Sequence, residues 1–389
     1  MRIGLSAALV VVLAGCGAPV PAATSVASAL PAVEVEAPTA SPVAVTPPEA
    51  ERRCGAAKIP ALPARLPEAQ LPEGESPATC EPRDAVLRQA AAAELTKRYR
   101  PRRPGSTLRI DHDCDGLGAR IERLDWAFGA GHGFNLSLVR FERRGDDYLA
   151  WRLDYRELSS TSTLPPPPTV AVGRLPASEV ERAIAGVRAA LTSRLVEVEP
   201  QAPPGVILGL SGFSSSRDFH SAIELADGDR RKSYRFTGYE SSTHQDTYLP
   251  LLLAETHLRP LLERLALRDD PIDDGDRVTF ASFFAAEAPH FDDPFNWWVK
   301  ERYVALAEPF GTPALVPLLV ERLRPGSDRS TSDTRNDALD ALAKLLGADP
   351  RLDPAGEPRP QDEVMADLRE RCGAVTPAAA ARSDDGNSR

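Results

Sequence analysis

The chain has 389 residues, 42% of them hydrophobic and 26% charged, an ordinary globular composition with room for two or three domains of about 100 to 200 residues. Its formal net charge of −10 at pH 7 argues against a nucleic-acid partner, because neutralising phosphates requires clustered Lys and Arg.

Residues 1–15 have the layout of a signal peptide. A basic residue, Arg2, precedes an apolar run over residues 3–13, which is too short to span a bilayer, since spanning takes about 20 residues. The segment Leu13-Ala14-Gly15-Cys16 resembles the lipobox of bacterial lipoproteins. That resemblance implies cleavage before Cys16, acylation of Cys16 and, because Gly17 is not the Asp that retains such proteins at the inner membrane, an outer-membrane location in a cell with two membranes. The alternative is an ordinary signal peptide with a chance cysteine.

Two segments are predicted to be disordered. Residues 16–53 consist mainly of Ala, Pro, Val, Ser and Thr and contain no aromatic residue. Such a composition cannot bury enough apolar surface to offset the entropy lost on ordering, and its prolines keep the chain extended. We therefore expect residues 16–53 to form a tether and residues 373–389 to form a disordered tail.

Residues 54–268 are predicted to form an α+β domain. Two turns, Arg144-Gly145-Asp146 and Asp227-Gly228-Asp229, each join two runs with the character of strands. The predicted helices cover 85–99, 177–196 and 248–267, and the predicted strands cover 107–110, 119–128, 134–141, 148–155, 219–225 and 233–239. Hairpins interspersed with helices, without a βαβ rhythm, predict an antiparallel sheet with flanking helices.

Residues 269–372 are predicted to be all-helical. The segment Ala305-Leu306-Ala307-Glu308-Pro309-Phe310-Gly311 recurs as Ala341-Leu342-Ala343-Lys344-Leu345-Leu346-Gly347, with four of seven residues identical at an offset of 36. The unit between them resembles a HEAT repeat, a family in which a proline kinks the first helix and Asp-x-Arg opens the second. The residues at matching positions are Pro317, Asp333, Arg335, Ala338 and Ala341.

HEAT arrays generally bind other proteins, so this resemblance implies a protein partner for the helical region. The alternative is a plain helical cap that only covers the sheet. Since helix pairs of this kind cannot bury their apolar faces alone, we expect the region to dock on the α+β domain.

Four cysteines remain after Cys16, namely Cys54, Cys80, Cys114 and Cys372. An even number in an exported chain suggests two disulfides, and four cysteines allow three connectivities that sequence does not separate. We favour Cys80 with Cys114 and Cys54 with Cys372.

Residues 111–122 fit the calcium-loop pattern D-x-[DN]-x-[DN]-G-x5-E and resemble an EF-hand loop. Alternating carboxylates direct oxygens inward, and a final glutamate completes the oxygen shell of a calcium ion. The candidate ligands are Asp111, Asp113, Asp115, Leu117 and Glu122. The alternative is a polar turn in which Asp and Gly serve the turn geometry.

Other candidate sites are weaker. Ser211 is one residue out of register for a G-x-S-x-G nucleophile motif, and the six histidines are scattered singly. The acidic cluster Asp269, Asp270, Asp273, Asp274 and Asp276 is predicted to be a solvated, helix-capping loop.

The sequence thus predicts a lipid-anchored envelope protein that acts as a non-enzymatic protein-interaction or scaffolding module, with no cofactor apart from the possible calcium. The alternatives are a calcium-stabilised binding module and a hydrolase with an unrecognised site.

Overall fold

The computed structural model describes residues 67–71, 85–102, 105–130, 135–156, 167–198, 218–239, 244–293, 295–323 and 332–372. All of them belong to one compact unit, Glu49–Arg389. The predicted signal peptide, the lipid site Cys16, the tether and the tail lie outside the described residues, and so do Cys54 and Cys80. These expectations stay predictions.

The described residues form nine strands. They are β1 Thr107–His112, β2 Arg123–Ala130, β3 Asn135–Arg144, β4 Asp147–Arg156, β5 Thr169–Pro176, β6 Ser193–Val198, β7 Asp218–Asp227, β8 Arg230–Tyr239 and β9 Ala266–Leu267. Seven strands make one antiparallel sheet in the order β8-β7-β2-β3-β4-β5-β9, and β1 pairs antiparallel with β6.

Eight α-helices accompany the strands in the described part of the chain. They are α1 Ala85–Arg98, α2 Ala177–Leu191, α3 Gln245–Leu262, α4 Asp274–Glu287, α5 Trp297–Phe310, α6 Val316–Arg322, α7 Ser332–Leu346 and α8 Gln361–Cys372. No helix within the described ranges combines the length and the apolar character needed to cross a bilayer. The predicted α+β class with an antiparallel sheet, flanking helices and a helical C-terminal region is confirmed.

The two faces of the seven-stranded sheet carry separate cores. Alternation along β2 directs Trp126 to the side of α1, α2 and α3 and directs Ala127 to the side of α4 to α8. The fully buried Trp298 of α5 belongs to the second core together with Leu136 and Leu138 of β3. Burying a large apolar side chain contributes about 1.5 to 3 kcal/mol. The C-terminal helices therefore dock on the sheet, as expected from their apolar faces.

Turn and cap chemistry explains where several elements begin and end. Gly145 and Gly228 have φ values of +68° and +56° in the two predicted hairpin turns, a conformation that glycine adopts without steric cost. Asp273 caps α4, accepting a hydrogen bond from the Asp276 backbone N–H at 2.8 Å, while the Asp276 carboxylate accepts from the Asp273 N–H at 2.9 Å. The predicted capping role of this acidic cluster is confirmed for Asp273.

Two predicted helices are too long. The expected helix over 248–267 ends at Leu262, and Ala266–Leu267 forms β9. The expected helix over 177–196 ends at Leu191, and the chain continues as β6. The hydroxyl groups of Thr192 and Ser193 donate to the carbonyls of Arg188 and Ala189 at 2.6 and 2.7 Å, which satisfies helix-end acceptors locally. Pairing of β6 with β1, a partner distant in sequence, then decides its conformation.

Candidate functional sites

The predicted calcium loop is organised around an arginine. Asp115 is buried and forms a two-point ion pair with Arg188 of α2, with Nε–Oδ2 at 2.6 Å and Nη2–Oδ1 at 2.8 Å. The same guanidinium donates to the Gly118 carbonyl at 2.8 Å and to the Leu117 carbonyl at 3.3 Å. A cationic side chain thus already binds oxygens of two of the five predicted calcium ligands, Asp115 and Leu117.

The other predicted calcium ligands lie apart from this ion pair. Asp111 belongs to β1 and pairs with Arg109 at 2.9 Å, while the backbone N–H of Glu122 donates to Ala226 at the sheet. Among the described residues, no group of three or more His, Cys, Asp or Glu could hold a metal ion. Asp111, Asp113, Asp115 and Glu122 do not form such a group in the described part of the chain, and calcium binding by these residues and Leu117 stays a prediction.

The remaining sequence candidates are partly described. Cys372 is buried at the end of α8 and Cys114 follows β1, whereas the disulfide pairing stays a prediction because it involves Cys54 and Cys80. Of the HEAT-like positions, Pro317 lies in α6, and Ala338 and Ala341 are buried in α7. Ser211 lies outside the described residues.

A cavity of about 320 Å³ lies between the sheet and α4. It is lined from β2, β3, β7 and β8 on the sheet, from α4 and α5, and from residue 68. Its lining contains four arginines and four carboxylates. The arginines are Arg123, Arg140, Arg231 and Arg235, and the carboxylates are Glu68, Asp125, Glu224 and Glu287. Ligand sites are typically concave and contain a few well-placed polar groups, so this cavity is a candidate site.

Sheet register places two like charges side by side on the cavity floor. Asp125 of β2 lies directly opposite Glu224 of β7, an arrangement that destabilises a sheet unless it is neutralised. Arg123 contacts both carboxylates, with 3.2 Å to Asp125 and 3.0 Å to Glu224. Arg140 of β3 makes a two-point pair with Asp125 at 2.7 Å for each bond and donates to the Ser282 hydroxyl of α4 at 2.7 Å. The arginines therefore hold the floor and α4 together.

The inner end of the cavity contains the buried carboxylate of Glu287. Burial alone raises its pKa, but the charges of neighbouring side chains and hydrogen bonds from Arg235 and Asn296 outweigh burial, so the pKa lies below its ordinary value. The Asn296 amide donates to Glu287 at 2.8 Å, and Arg235 of β8 forms an ion pair with the same oxygen. Glu287 is therefore ionised at pH 7.

Tyr303 of α5 also lines the cavity. Its side chain is fully buried, and its hydroxyl has no hydrogen-bond partner among the described residues. Burial raises the pKa of Tyr303 well above its ordinary value, so the hydroxyl stays protonated. Buried polar groups are nearly always hydrogen-bonded, so an orphaned hydroxyl at a cavity wall requires an explanation.

His220 lies on β7 near Glu287 but is not part of the cavity lining. Its Nδ1 is 2.8 Å from the Thr237 hydroxyl, and its ring meets Trp298 edge to face with 6.1 Å between the centroids. Burial lowers the pKa of His220 to about 4, so the ring is neutral at pH 7. The Nδ1 atom of this buried ring thus has a hydrogen-bond partner, and the ring does not line the cavity.

A second candidate site is the outer edge of β8. The Arg231 backbone donates to the Pro67 carbonyl at 2.9 Å and accepts from the Ala69 N–H, so both backbone groups of Arg231 point away from β7. Because this orientation repeats every second residue in an antiparallel strand, the backbones of Arg235 and Thr237 point outward as well. Within the described ranges, no strand pairs with that side of β8 beyond Arg231.

An exposed aromatic side chain, Phe295, lies beside this edge, and a second one, Trp297, follows two positions later in the chain. Phe295 is 51% exposed and Trp297 is 38% exposed, both just before or at the start of α5. The Phe295 Cγ atom is 4.0 Å from the position of an ideal Cβ at Gly238, near the end of β8. Aromatic residues are enriched at protein interfaces and their binding hot spots. We call Phe295, Trp297 and the outer edge of β8 from Arg235 to Tyr239 the edge surface. Ser233 is not included, because its backbone N–H donates to the Glu68 carboxylate at 3.3 Å.

Comparison of the chain with protein-family models, with curated proteins and with solved structures gives no match. Both candidate sites are therefore identified from their geometry alone. Sequence reasoning missed the cavity, whose floor residues look in sequence like the solvated polar positions of half-exposed strands.

Proposed function

We propose that this chain is a lipid-anchored envelope protein that acts, without catalysis, as a protein-interaction module. The edge surface is the observation that carries this proposal. It combines outward-facing backbone groups of β8 with two exposed aromatic side chains from the helical region, where the HEAT-like resemblance implies a partner.

The chemistry of the edge surface suits an extended segment of a partner polypeptide. Backbone groups along a sheet edge give affinity by adding a strand, and adjacent apolar side chains select among segments. Residues 67–69 already use this mode over one bridge, between Glu68 and Arg231. We therefore expect the partner to pair with β8 beyond that bridge and to cover Phe295 and Trp297.

The lipobox resemblance supports the proposed location at a membrane of the cell envelope. An acylated Cys16 would hold the protein at a membrane, because each buried methylene group contributes about 0.8 kcal/mol and several long chains give stable anchoring. Cys16→Ser removes the acylated sulfur and is expected to release the protein from the membrane fraction. A Cys16→Ser protein that still fractionates with membranes would contradict the anchor.

The interaction proposal is tested by crosslinked pull-down from detergent-solubilised envelope with the full chain. A double variant, Phe295→Ser with Trp297→Ser, is expected to lose the captured partner. The matched control is Val86→Ser with Leu149→Ser, which also replaces two exposed apolar residues and leaves the edge surface intact. Equal capture by both double variants, or no specific capture by the parent, would refute the proposal.

Deleting the helical region is not a suitable test. Residues of α4 to α8 bury the second face of the sheet, so their removal would expose Leu138, Trp151 and Leu153. Loss of binding by such a truncation would only report unfolding. Point variants at exposed positions avoid this problem because surface substitutions usually change stability by about 0.5 kcal/mol or less.

A further inference from the structure

The arginine and carboxylate side chains that line the cavity between the sheet and α4 have no net charge. Four guanidinium groups face four carboxylates, and each arginine is paired, Arg140 with Asp125 and Arg235 with Glu287 among them. The charges of these eight side chains cancel. A free anion or cation would have to displace an existing partner, and breaking a desolvated pair costs several kcal/mol. The balance therefore disfavours a strongly charged ligand.

The paired groups still have hydrogen-bonding capacity. A carboxylate has about four lone-pair sites and a guanidinium has five N–H donors, so one ion pair leaves both partners partly unused. Along the cavity floor, the donor Arg140 lies directly beside the acceptor Asp125, which in turn lies beside the acceptor Glu224. A ligand that matches this floor must donate a hydrogen bond from one atom and accept a hydrogen bond at an adjacent atom.

Tyr303 marks the inner end of the cavity. Its fully buried hydroxyl both donates and accepts, and no described residue hydrogen-bonds to it. The apolar part of the wall includes the small side chains of Ala127 and Ala222 on the sheet and of Ala285 and Ala286 on α4, together with Ile223 and the ring of Phe283. The alanines leave room for atoms against the sheet, and Phe283 offers a flat apolar surface.

We infer that this cavity binds a neutral, polyhydroxylated small molecule of the size and class of a monosaccharide. Vicinal hydroxyls donate and accept hydrogen bonds at neighbouring atoms, as a floor with the donor Arg140 beside the acceptors Asp125 and Glu224 requires, and one of them meets Tyr303. The C–H groups of the ring pack on the alanines and Phe283. The volume of about 320 Å³ is at the lower end of the range for small-molecule sites, roughly 300 to 1,000 Å³. The inference does not depend on the edge surface.

The test is calorimetric titration and thermal melting of the full chain with four neutral probes, D-glucose, D-galactose, N-acetyl-D-glucosamine and myo-inositol. At least one probe is expected to bind and to raise the melting temperature, because a ligand that binds only the folded state stabilises it. Inorganic phosphate and acetate are expected to bind more weakly than that probe. If no neutral probe binds, so that the cavity holds ordered water alone, or if an anion binds more tightly, the inference is wrong.

Two variants locate the binding. Tyr303→Phe removes only the orphaned hydroxyl and is expected to fold as the parent does while binding about tenfold more weakly, the effect of one lost hydrogen bond. Ala286→Phe narrows the cavity from an exposed position on α4, so binding is lost without disturbing the core. Val278→Phe, at an exposed position of the same helix outside the lining, is the matched control and keeps parental affinity. Unchanged binding in both Tyr303→Phe and Ala286→Phe would overturn the site.

Discussion

Arg188 and Asp115 are joined by two hydrogen bonds of 2.6 and 2.8 Å across 73 residues of sequence, linking α2 to the segment between β1 and β2. The pair is mostly desolvated, with 16% and 9% of the two side chains exposed. Asp115 also accepts from the Leu117 backbone N–H at 3.0 Å, so its carboxylate organises the local turn.

Removing the arginine is expected to leave Asp115 charged and without its partner. Arg188→Met should therefore lower the free energy of unfolding by about 3 kcal/mol, the size seen when one member of a buried pair is lost. Urea denaturation measures the change. Arg182→Met, an exposed position of the same helix, is the matched control and should change stability by about 0.5 kcal/mol or less. Equal stability of the two variants would show that the ion pair is dispensable.

Calcium is expected to leave the melting temperature of the parent unchanged, because the Arg188 guanidinium already binds Asp115 and the Leu117 carbonyl. Thermal melting with and without calcium is the measurement, and Asp111→Ala and Glu122→Ala serve as comparisons. A calcium-dependent rise in the parent that both variants abolish would instead support the calcium-loop hypothesis.

His220 predicts a pH dependence of stability. Its pKa is about 4 in the folded protein and about 6.5 when unfolded, so the unfolded state binds more protons as the pH falls. Stability is therefore lost on acidification from pH 6.5 towards 4, with about 2 kcal/mol of that loss between pH 7 and pH 5. Urea denaturation at both pH values should show this loss in the parent and a correspondingly smaller one in His220→Asn.

The matched control for that experiment is His244→Asn, which replaces an exposed histidine. It should keep the parental difference between pH 7 and pH 5. A parental difference that persists undiminished in His220→Asn would assign the pH dependence to other groups, such as the buried Glu287, whose pKa lies below its ordinary value in the folded protein, so that the unfolded state binds its proton first on acidification.

Gly129 of β2 should not tolerate a side chain. An added Cβ would lie 2.4 Å from the Asn135 carbonyl oxygen and 3.0 Å from the Trp298 ring. Gly129→Ala is therefore expected to lower the free energy of unfolding by about 1 to 3 kcal/mol through overpacking and to shift the fluorescence of Trp298. At Gly173 the nearest atom is the end of the flexible Leu265 side chain, so Gly173→Ala should cost less. The opposite order of the two variants would contradict this packing argument.

Local sequence patterns were sufficient for the hairpins. The β3–β4 and β7–β8 pairs combine a glycine turn with apolar runs on both sides, and both partners of each pair are adjacent in the chain. The pairing of β2 with β7 joins segments about 100 residues apart, and no local signal carries that information. The strand β6 was mistaken for helix for the same reason, since its partner β1 is distant.

The candidate sites required tertiary structure. Arg140 and Ser282, which connect the cavity floor to α4, are 142 residues apart. The pattern over residues 111–122 was read without Arg188, because a twelve-residue motif says nothing about a side chain from another helix. The exposed aromatics Phe295 and Trp297 gave no signal, since buried and exposed aromatic residues look alike in sequence.

Helices α4 to α8 follow the sheet in the chain and cover one of its faces. This order has a consequence for biosynthesis. A nascent polypeptide that ends before α5 lacks Trp298 and Val304, which bury Leu136 and Leu138. Its half-finished sheet would present a bare apolar face to solvent, and such surfaces favour aggregation. The second core is therefore complete only after synthesis has passed these helices, and until then its sheet face stays exposed.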